Sequence, residues 1–286
     1  MSTLPLEIRI DGQPAGAHAA DAHTPDAKGW PLDRGLHFGD GVFETLVVRG
    51  GRARFASLHR ARLARGLARL QISLDEDAAW REVSAVATAH AESLLKLLVT
   101  RGDATERGYA PSGREHARRV LLVYPATADP SAQPADAAAV TLATRLGENP
   151  LLAGLKHTNR LEQVLARTEL APTGAFEGLM ANSSALLVSG TLSNVFVRLD
   201  GQWLTPRLDR CGIAGVMRAV VLREAARADL LLREAEIPLA ALPRCESLYV
   251  SNVRLGLRPL ASLDGRALVR DAALDALARK VERLDD

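Results

Sequence analysis

The chain has 286 residues, a hydrophobic fraction of 47%, a charged fraction of 24% and a formal net charge of +2 at pH 7. This composition is typical of a globular protein and excludes a disordered or fibrous chain, and the length is enough for two domains of ordinary size. Because the charge is nearly balanced and the basic residues are not clustered, we expect no nucleic acid partner.

The cysteines and the N-terminal residues bear on the compartment. Two cysteines make neither a disulfide framework nor a metal motif, so we expect a reducing compartment and no metal. Residues 1–12 contain no basic segment followed by an apolar one, which argues against a secretory signal. No apolar run approaches the roughly 20 residues that span a bilayer. We therefore expect a cytoplasmic protein that does not act at a membrane.

The sequence pattern of the first half of the chain predicts a hairpin, two helices and two strands. The hairpin covers Gly41–Phe55, with Gly50-Gly51 as its turn. One helix is predicted from Ser57, its N-cap, and an alanine-rich helix is predicted over Asp75–Leu94. The strands are predicted at Leu95–Thr100 and Arg118–Val123.

The second half follows a segment, residues 125–139, that is rich in Pro, Ala, Ser and Asp and predicts a linker. A tight turn is predicted at Asp200-Gly201. Strands are predicted at Val140–Arg145, Gly178–Ala181, Ala185–Ser189, Val195–Leu199 and Leu248–Ser251. Helices are predicted at Arg160–Leu170, Val216–Ala228 and Ala272–Leu284. The pattern predicts an α+β protein with domains at 1–124 and 140–286.

Five segments that are rich in glycine or in charged residues follow one another along the chain. They are Asp33–Thr45, His59–Leu63, Leu155–Gln163, Ser189–Phe196 and Gly212–Arg218. Their order and spacing resemble the fold-type IV pyridoxal-phosphate enzymes, which include branched-chain aminotransferases, D-amino acid aminotransferases and aminodeoxychorismate lyases. The resemblance implies a smaller N-terminal α/β domain, a larger β-barrel-like α/β C-terminal domain, and pyridoxal 5'-phosphate in the cleft. It also implies a homodimer.

Lys156 is the residue predicted to form the Schiff base with the cofactor. Lysine is rare in this chain, at Lys28, Lys96, Lys156 and Lys280, while the other basic residues are arginine. Arginine cannot lose its proton and lysine can, so a retained lysine is informative. The alternative is a surface lysine at a strand end. Lys96, which is flanked by leucines, is the rival for the covalent role but has no cofactor-like motif around it.

A phosphate site is predicted where Gly212–Met217 precedes a helix, because backbone N–H groups and the helix dipole favour an anion. The resemblance implies that the backbone of Val216 and Met217 holds the phosphate. It also implies that Arg62, whose guanidinium fork suits phosphate, adds the positive charge. The alternatives are a solvated helix face for Arg62 and an ordinary helix-start loop for the glycines.

Ser189 departs from the family pattern. The family commonly has a glutamate five residues before the position of Asn194, where it pairs with the protonated pyridine nitrogen of the cofactor. Ser189 stands there in this chain. Either another acid takes this role, or the nitrogen stays neutral and hydrogen-bonded to the Ser189 hydroxyl. Asn194 is carried over as a residue of the cofactor site.

The lyase branch is favoured by Leu155–Gln163 and by Arg101-Gly102 followed by Arg107-Gly108-Tyr109. The resemblance carries this inference; the spacing alone does not. Arg107 and Tyr109 have the donors to bind a substrate carboxylate, although a polar loop is an equal alternative. Thr45 matches a threonine proposed as a proton donor in such lyases.

The resemblance implies conversion of 4-amino-4-deoxychorismate to p-aminobenzoate and pyruvate, a step towards folate. Lys156 would act as the general base once the substrate amine has displaced it. One alternative is an aminotransferase of D- or branched-chain amino acids, because a fold does not fix the reaction. A further alternative is a non-catalytic relative that keeps the fold for an interaction.

Overall fold

The structure is a computed structural model that describes residues 4–15, 30–126, 134 and 136–286. The chain forms two compact units. Unit 1 contains residues 1–128, 155–159 and 285–286, and unit 2 contains residues 129–154 and 160–284. Lys28 and most of the predicted linker, residues 127–133 and 135, lie outside the described residues. The domain bounds predicted from the sequence stay a prediction.

The described residues of unit 1 form a sheet and three helices. Its strands are β1 (Glu7–Ile10), β2 (Gln13–Pro14), β3 (Gly41–Arg49), β4 (Arg52–Ala53), β5 (Ser93–Thr100) and β6 (Arg118–Pro125). Its helices are α1 (Arg34–Phe38), α2 (Ala56–Leu70) and α3 (Glu76–Ala89). The strands are antiparallel and follow the order β2-β1-β6-β5-β3-β4.

Strand β3 alternates between a buried and a less buried face, as expected for a strand that covers a core on one side. Its buried apolar residues Val42, Leu46 and Val48 join the core cluster that the α2 and α3 side chains complete. The predicted hairpin is confirmed, since β3 and β4 pair on either side of Gly50-Gly51. Both glycines have positive φ, at +55° and +74°, as a tight hairpin turn requires.

Two helix ends in unit 1 differ from the prediction. Helix α2 is preceded by Phe55, in a left-handed conformation with φ of 52°, so Ser57 is not its N-cap. The Phe55 N–H donates to the carbonyl of Asp285 at 2.6 Å. Helix α3 ends at Ala89, and the predicted helix was too long because Ser93 and Leu94 already pair within β5. Strand pairing therefore overrides the helix propensity of this alanine-rich stretch.

In the part of unit 2 that the structure describes, the strands form two sheets of five strands each. The strands are β7 (Ala138–Leu146), β8 (Glu177–Asn182), β9 (Leu187–Gly190), β10 (Asn194–Leu199), β11 (Gln202–Pro206), β12 (Leu232–Ala235), β13 (Cys245–Asn252), β14 (Gly256–Leu260), β15 (Ser262–Leu263) and β16 (Arg266–Ala267). The helices are α4 (Leu161–Leu170), α5 (Val216–Arg227) and α6 (Ala272–Glu282). The sheet orders are β12-β11-β10-β13-β14 and β16-β15-β7-β8-β9.

Most of the predicted strands and helices of unit 2 are confirmed within a few residues at each end. The strand predicted from Ala185 begins at Leu187, because Ala185 has a φ of +56° and lies in the preceding turn. Strands β12 and β14 to β16 were not predicted. The structure is a mixed α+β protein, as the sequence indicates. In the part of the chain that the structure describes, no helix is long and apolar enough to cross a membrane.

Candidate active site

Lys156 lies in a short extended segment that is hydrogen-bonded to the start of β3. The Phe43 N–H donates to the Lys156 carbonyl at 2.9 Å, and the Thr158 N–H donates to the Gly41 carbonyl at 3.0 Å. The Thr158 hydroxyl and the Asn159 amide both donate to the Gly39 carbonyl, at 2.6 and 3.0 Å. This backbone pairing fixes Lys156 beside β3, although it is far from β3 along the chain.

The face of β3 that carries Phe43 also carries Thr45, since these residues alternate with the buried ones. The Lys156 Nζ lies 4.2 Å from the centroid of the Phe43 ring. Lys96 is the cross-strand partner of Thr45 on β5, and its Nζ lies 5.4 Å from the same centroid. The structure thus brings Lys156, Thr45 and Lys96 together around Phe43. No cofactor-like motif surrounds Lys96 in the sequence, but strand pairing places it beside Phe43.

The opposite face of β3 contains a buried charged cluster of Glu44, His59 and Arg62. Arg62 Nε donates to Glu44 Oε1 at 2.8 Å, and its Nη2 donates to Oε2 of the same carboxylate. His59 Nδ1 lies 2.7 Å from Glu44 Oε2. Arg62 and Glu44 side chains are 6% and 1% exposed, so the solvated helix face considered for Arg62 is wrong. Its role at the phosphate stays a prediction.

The charges of this cluster follow from its burial and from the contacts among its members. Burial by itself would raise the pKa of the Glu44 carboxyl, but the charge and hydrogen bonds of Arg62, together with His59, lower it to about 2. Burial is also the main reason why the pKa of His59 falls below its ordinary value, although Glu44 opposes this shift. His59 is therefore neutral at pH 7, with Nδ1–H donating to the carboxylate. Its buried Nε2 has no partner among the described residues.

Arg107 and Tyr109 belong to an exposed segment of unit 1 that follows β5. The Tyr109 ring packs against the Phe38 ring of α1, with their centroids 5.3 Å apart. Helix α1 ends at Gly39, whose carbonyl accepts the Thr158 and Asn159 bonds. One helix therefore contacts both Tyr109 and the segment that carries Lys156.

In unit 2, Asn194 shapes the loop that leads into α5. Its Oδ1 accepts the Gly215 N–H at 3.1 Å, and its Nδ2 donates to the Ile213 carbonyl at 2.9 Å. A Cβ at Gly215 would lie 2.1 Å from the Asn194 Oδ1, so this approach requires glycine. Gly215 precedes α5 and no side chain caps the helix there. The N–H groups of Val216 and Met217 thus begin a helix without an intrahelical acceptor, which suits an anion.

A buried hydroxyl lies next to the Asn194 strand. Ser251 of β13 pairs with Asn194 in register. Its side chain is 1% exposed, and its Oγ has no hydrogen-bond partner among the residues that the structure describes. Burial of a hydroxyl without a hydrogen-bond partner costs free energy, so such a group requires an explanation. An uncapped helix start and an unsatisfied hydroxyl fit a bound phosphate-bearing cofactor, so the residues present fit pyridoxal phosphate.

Ser189 lies in β9, opposite Met180 of β8, and is nearly buried. The nearby buried acid is Glu177, which the sequence analysis did not identify. Its Oε1 accepts the N–H and hydroxyl of Thr191, and its Oε2 accepts the Ser193 hydroxyl at 2.7 Å. Glu177 therefore holds the turn between β9 and β10, and its oxygens are already occupied.

The functional residues that were not identified from the sequence share one property: their side chains are ionisable and buried. Arg34, Glu44, His59 and Glu177 belong to this set. The signal for Glu44 was available, because alternation places it on the same face as Val42 and Leu46. A carboxylate on a buried face needs a cationic partner. No group of His, Cys, Asp or Glu within the described ranges could hold a metal ion.

The chain is similar to a known protein family and to proteins of known name. The model of the amino-transferase class IV family matches residues 41–263. The aminodeoxychorismate lyase of Vibrio harveyi is 31% identical over 255 residues, which cover 87% of this chain and 93% of that protein.

Two solved structures are similar to this chain over nearly its whole length. The crystal structure of 4-amino-4-deoxychorismate lyase from Pseudomonas aeruginosa is 38% identical, with a TM-score of 0.87, and the match covers 98% of this chain and 100% of that one. The PLP-bound form of a hypothetical aminotransferase from Mycobacterium tuberculosis is 22% identical, with a TM-score of 0.78 and coverage of 96% and 97%, and supports the fold alone. The chain therefore belongs to the amino-transferase class IV family, and the fold-type IV assignment is confirmed.

Proposed function

We propose that this chain is a pyridoxal-phosphate enzyme that converts 4-amino-4-deoxychorismate to p-aminobenzoate and pyruvate, with Lys156 as the residue bound covalently to the cofactor. The observation that carries this proposal is the position of Lys156, held on β3 with its amine over Phe43 and on the face of Thr45. The likeness to lyases of this activity, at 31% and 38% identity over nearly the whole chain, supports the substrate.

The phosphate group of the cofactor is assigned to Val216, Met217 and Arg62. The backbone N–H groups of Val216 and Met217 begin α5 and donate to it, in the loop that Asn194 shapes. Arg62 supplies positive charge, which its pairing with Glu44 offsets in part. Ser189 is assigned to the pyridine nitrogen, as a neutral hydrogen-bond partner.

The chemistry divides between the cofactor and the side chains. Pyridoxal phosphate, when bound, withdraws electrons from the carbon that bears the substrate amine. The Lys156 amine removes the proton from that carbon as a general base. The Thr45 hydroxyl donates a proton to the departing enolpyruvyl group, which leaves as pyruvate. Arg107 and Tyr109 bind a substrate carboxylate.

The direct test is incubation of the cofactor-loaded protein with 4-amino-4-deoxychorismate, measuring both products. We expect p-aminobenzoate and pyruvate in equal amounts. Formation of neither product, together with rapid transamination of D- or branched-chain amino acids, would replace this proposal with the aminotransferase alternative. Absence of bound cofactor would instead favour the non-catalytic relative.

The assignment of Lys156 has its own test, because Lys96 approaches the same ring. We expect Lys156→Arg to abolish the cofactor that borohydride fixes to the protein, since a guanidinium cannot form the imine. Lys96→Arg should retain covalently fixed cofactor, located by peptide mapping at Lys156. Covalent fixation of the cofactor in Lys156→Arg, together with its loss in Lys96→Arg, would show that the assignment is wrong.

We propose a homodimer in the cytoplasm. Helix α4 exposes Leu161, Val164 and Leu165 by 77%, 57% and 61% of their areas, and their i, i+3, i+4 spacing makes one apolar stripe. Such a stripe supports burial against a second copy, and Leu165→Glu should reduce the mass measured by light scattering from that of two chains to that of one.

The cytoplasmic location is supported by the two cysteines, which are buried and unpaired, as in a reducing compartment.

A further inference from the structure

The segment Gly102–Tyr109 is attached to α1 in two places. Its beginning is held by backbone bonds, since the Arg34 N–H donates to the Gly102 carbonyl and the Ala104 N–H donates to the Leu32 carbonyl, both at 2.8 Å. The residues after Ala104 are exposed and lie in no helix or strand. Their position depends on side-chain contacts.

Arg34 provides the contacts to Gly108 and Tyr109, whereas Thr105 and Glu106 pair with Ser112 and Arg114. Arg34 Nη1 donates to the Gly108 carbonyl at 3.3 Å, and its Nη2 donates to the Tyr109 carbonyl at 2.5 Å. Its Nε donates to Asp40 at 2.9 Å. The guanidinium carbon lies 5.0 Å from the centroid of the Phe38 ring. The Tyr109 ring packs against the same Phe38 ring, with the two centroids 5.3 Å apart.

The chemistry of these contacts requires arginine. The Arg34 side chain is 4% exposed, so its charge needs the Asp40 carboxylate as a partner. The planar guanidinium can donate to that carboxylate and to two successive carbonyls at once, whereas the compact ammonium of lysine lacks this fork. Asp40 alone could be satisfied by lysine, but the two carbonyls could not be held in the same geometry.

We propose that Arg34 is a positioning residue that fixes Arg107 and Tyr109 for binding of the substrate carboxylate. The inference rests on the proposed function, which assigns these two residues to the substrate. Helix α1 also ends at Gly39, which is bonded to Thr158 and Asn159. Arg34 therefore sets the Tyr109 segment on the same helix to which the Lys156 segment is attached.

The test is the Arg34→Lys variant, compared with Arg101→Lys. Arg101 is a matched control because it also binds Asp40, at 2.7 Å, and two carbonyls, but these belong to Leu70 and Gln71 at the end of α2. We expect Arg34→Lys to raise KM for 4-amino-4-deoxychorismate about tenfold, which corresponds to about 1.4 kcal/mol. The kcat should change by less than about twofold, and cofactor affinity should be unchanged. Arg101→Lys should leave KM near the wild-type value.

A second readout does not depend on activity. Trypsin cleaves after exposed arginines, and release of the segment should increase the rate of cleavage after Arg107 in Arg34→Lys but not in Arg101→Lys. Equal KM and equal cleavage rates in the two variants would overturn the proposal. If Arg34→Lys does not fold, Phe38→Leu decides, because it removes the ring that both the Arg34 guanidinium and the Tyr109 ring contact. An unchanged KM in Phe38→Leu would also overturn the proposal.

The outcomes separate this inference from the proposed function. If the wild-type protein forms no p-aminobenzoate and pyruvate, the proposed function fails and the positioning role fails with it. If the wild type forms both products and the Arg34 and Phe38 variants keep its KM, the positioning role alone fails.

Discussion

Glu44→Gln should destabilise the protein strongly while changing its shape very little. Glutamine has nearly the same size as glutamate, but it cannot balance the charge of Arg62, which donates twice to the Glu44 carboxylate in a buried position. The variant leaves a buried guanidinium without its counter-charge. Loss of one partner of a buried ion pair costs about 3–5 kcal/mol.

The pKa of Glu44 gives an independent magnitude. It is about 2, against an ordinary value of 4.5, and each pKa unit corresponds to about 1.4 kcal/mol. The ionised carboxylate therefore contributes about 3 kcal/mol at pH 7. Because the folded pKa is lowered, this contribution is complete above pH 4.5 and is lost as the pH falls towards 2. At pH 3, which is one unit above the folded pKa, about 1.4 kcal/mol of it remains.

The assay is urea unfolding of wild type and variant, followed by circular dichroism at several pH values between 7 and 3. We expect the difference in unfolding free energy to be about 3 kcal/mol at pH 7 and to shrink below pH 4.5. The control is Asp77→Asn, which removes the carboxylate of the exposed Arg60–Asp77 pair in the same unit and should cost at most about 1 kcal/mol. A Glu44→Gln variant as stable as the Asp77→Asn control, or a difference that does not change with pH, would refute this reasoning.

The remaining predictions concern the cofactor. Arg62→Ala should weaken cofactor affinity by about 2–3 kcal/mol, the scale of one charge-assisted contact, and unchanged affinity in a folded variant would contradict its phosphate role. Gly215→Ala should weaken cofactor affinity about tenfold or more, because the new Cβ would displace Asn194; Gly147→Ala, whose Cβ meets only the end of Glu162, is the control. Ser189→Glu should increase conversion of the cofactor to its amine form by a simple amino acid, since a carboxylate keeps the pyridine nitrogen protonated. Equal conversion in wild type would count against the Ser189 assignment.

Local patterns predicted much of the fold. The hairpin at β3 and β4 was predictable because glycines supply the positive φ that the turn needs and because apolar residues alternate on both sides of it. Helix α5 was predictable from its glycine-bearing start. The end of α3 was not, since the pairing of Ser93 with two neighbouring strands is a long-range contact that propensity does not contain.

The candidate site was predictable where a motif carries the chemistry and not where partners are distant in sequence. Lys156 stood out by its rarity and context. The pairing of Arg62 with Glu44 was missed because it depends on how α2 packs on β3. The nearness of Lys96 to Phe43 was missed as well, because it depends on strand register, and a shift of one residue would turn Lys96 to the other face.

Unit 1 is discontinuous in the chain, and this has a consequence for its assembly during synthesis. Thr158 and Gly41 are hydrogen-bonded but 117 positions apart, and residues 155–159 belong to unit 1 although residues 129–154 do not. A fragment that ends before residue 155 would therefore contain the sheet of unit 1 without the lysine proposed for catalysis. On the ribosome, the first sheet can form long before Lys156 emerges, so the covalent loading that we propose at Lys156 must wait until translation of the second unit has begun.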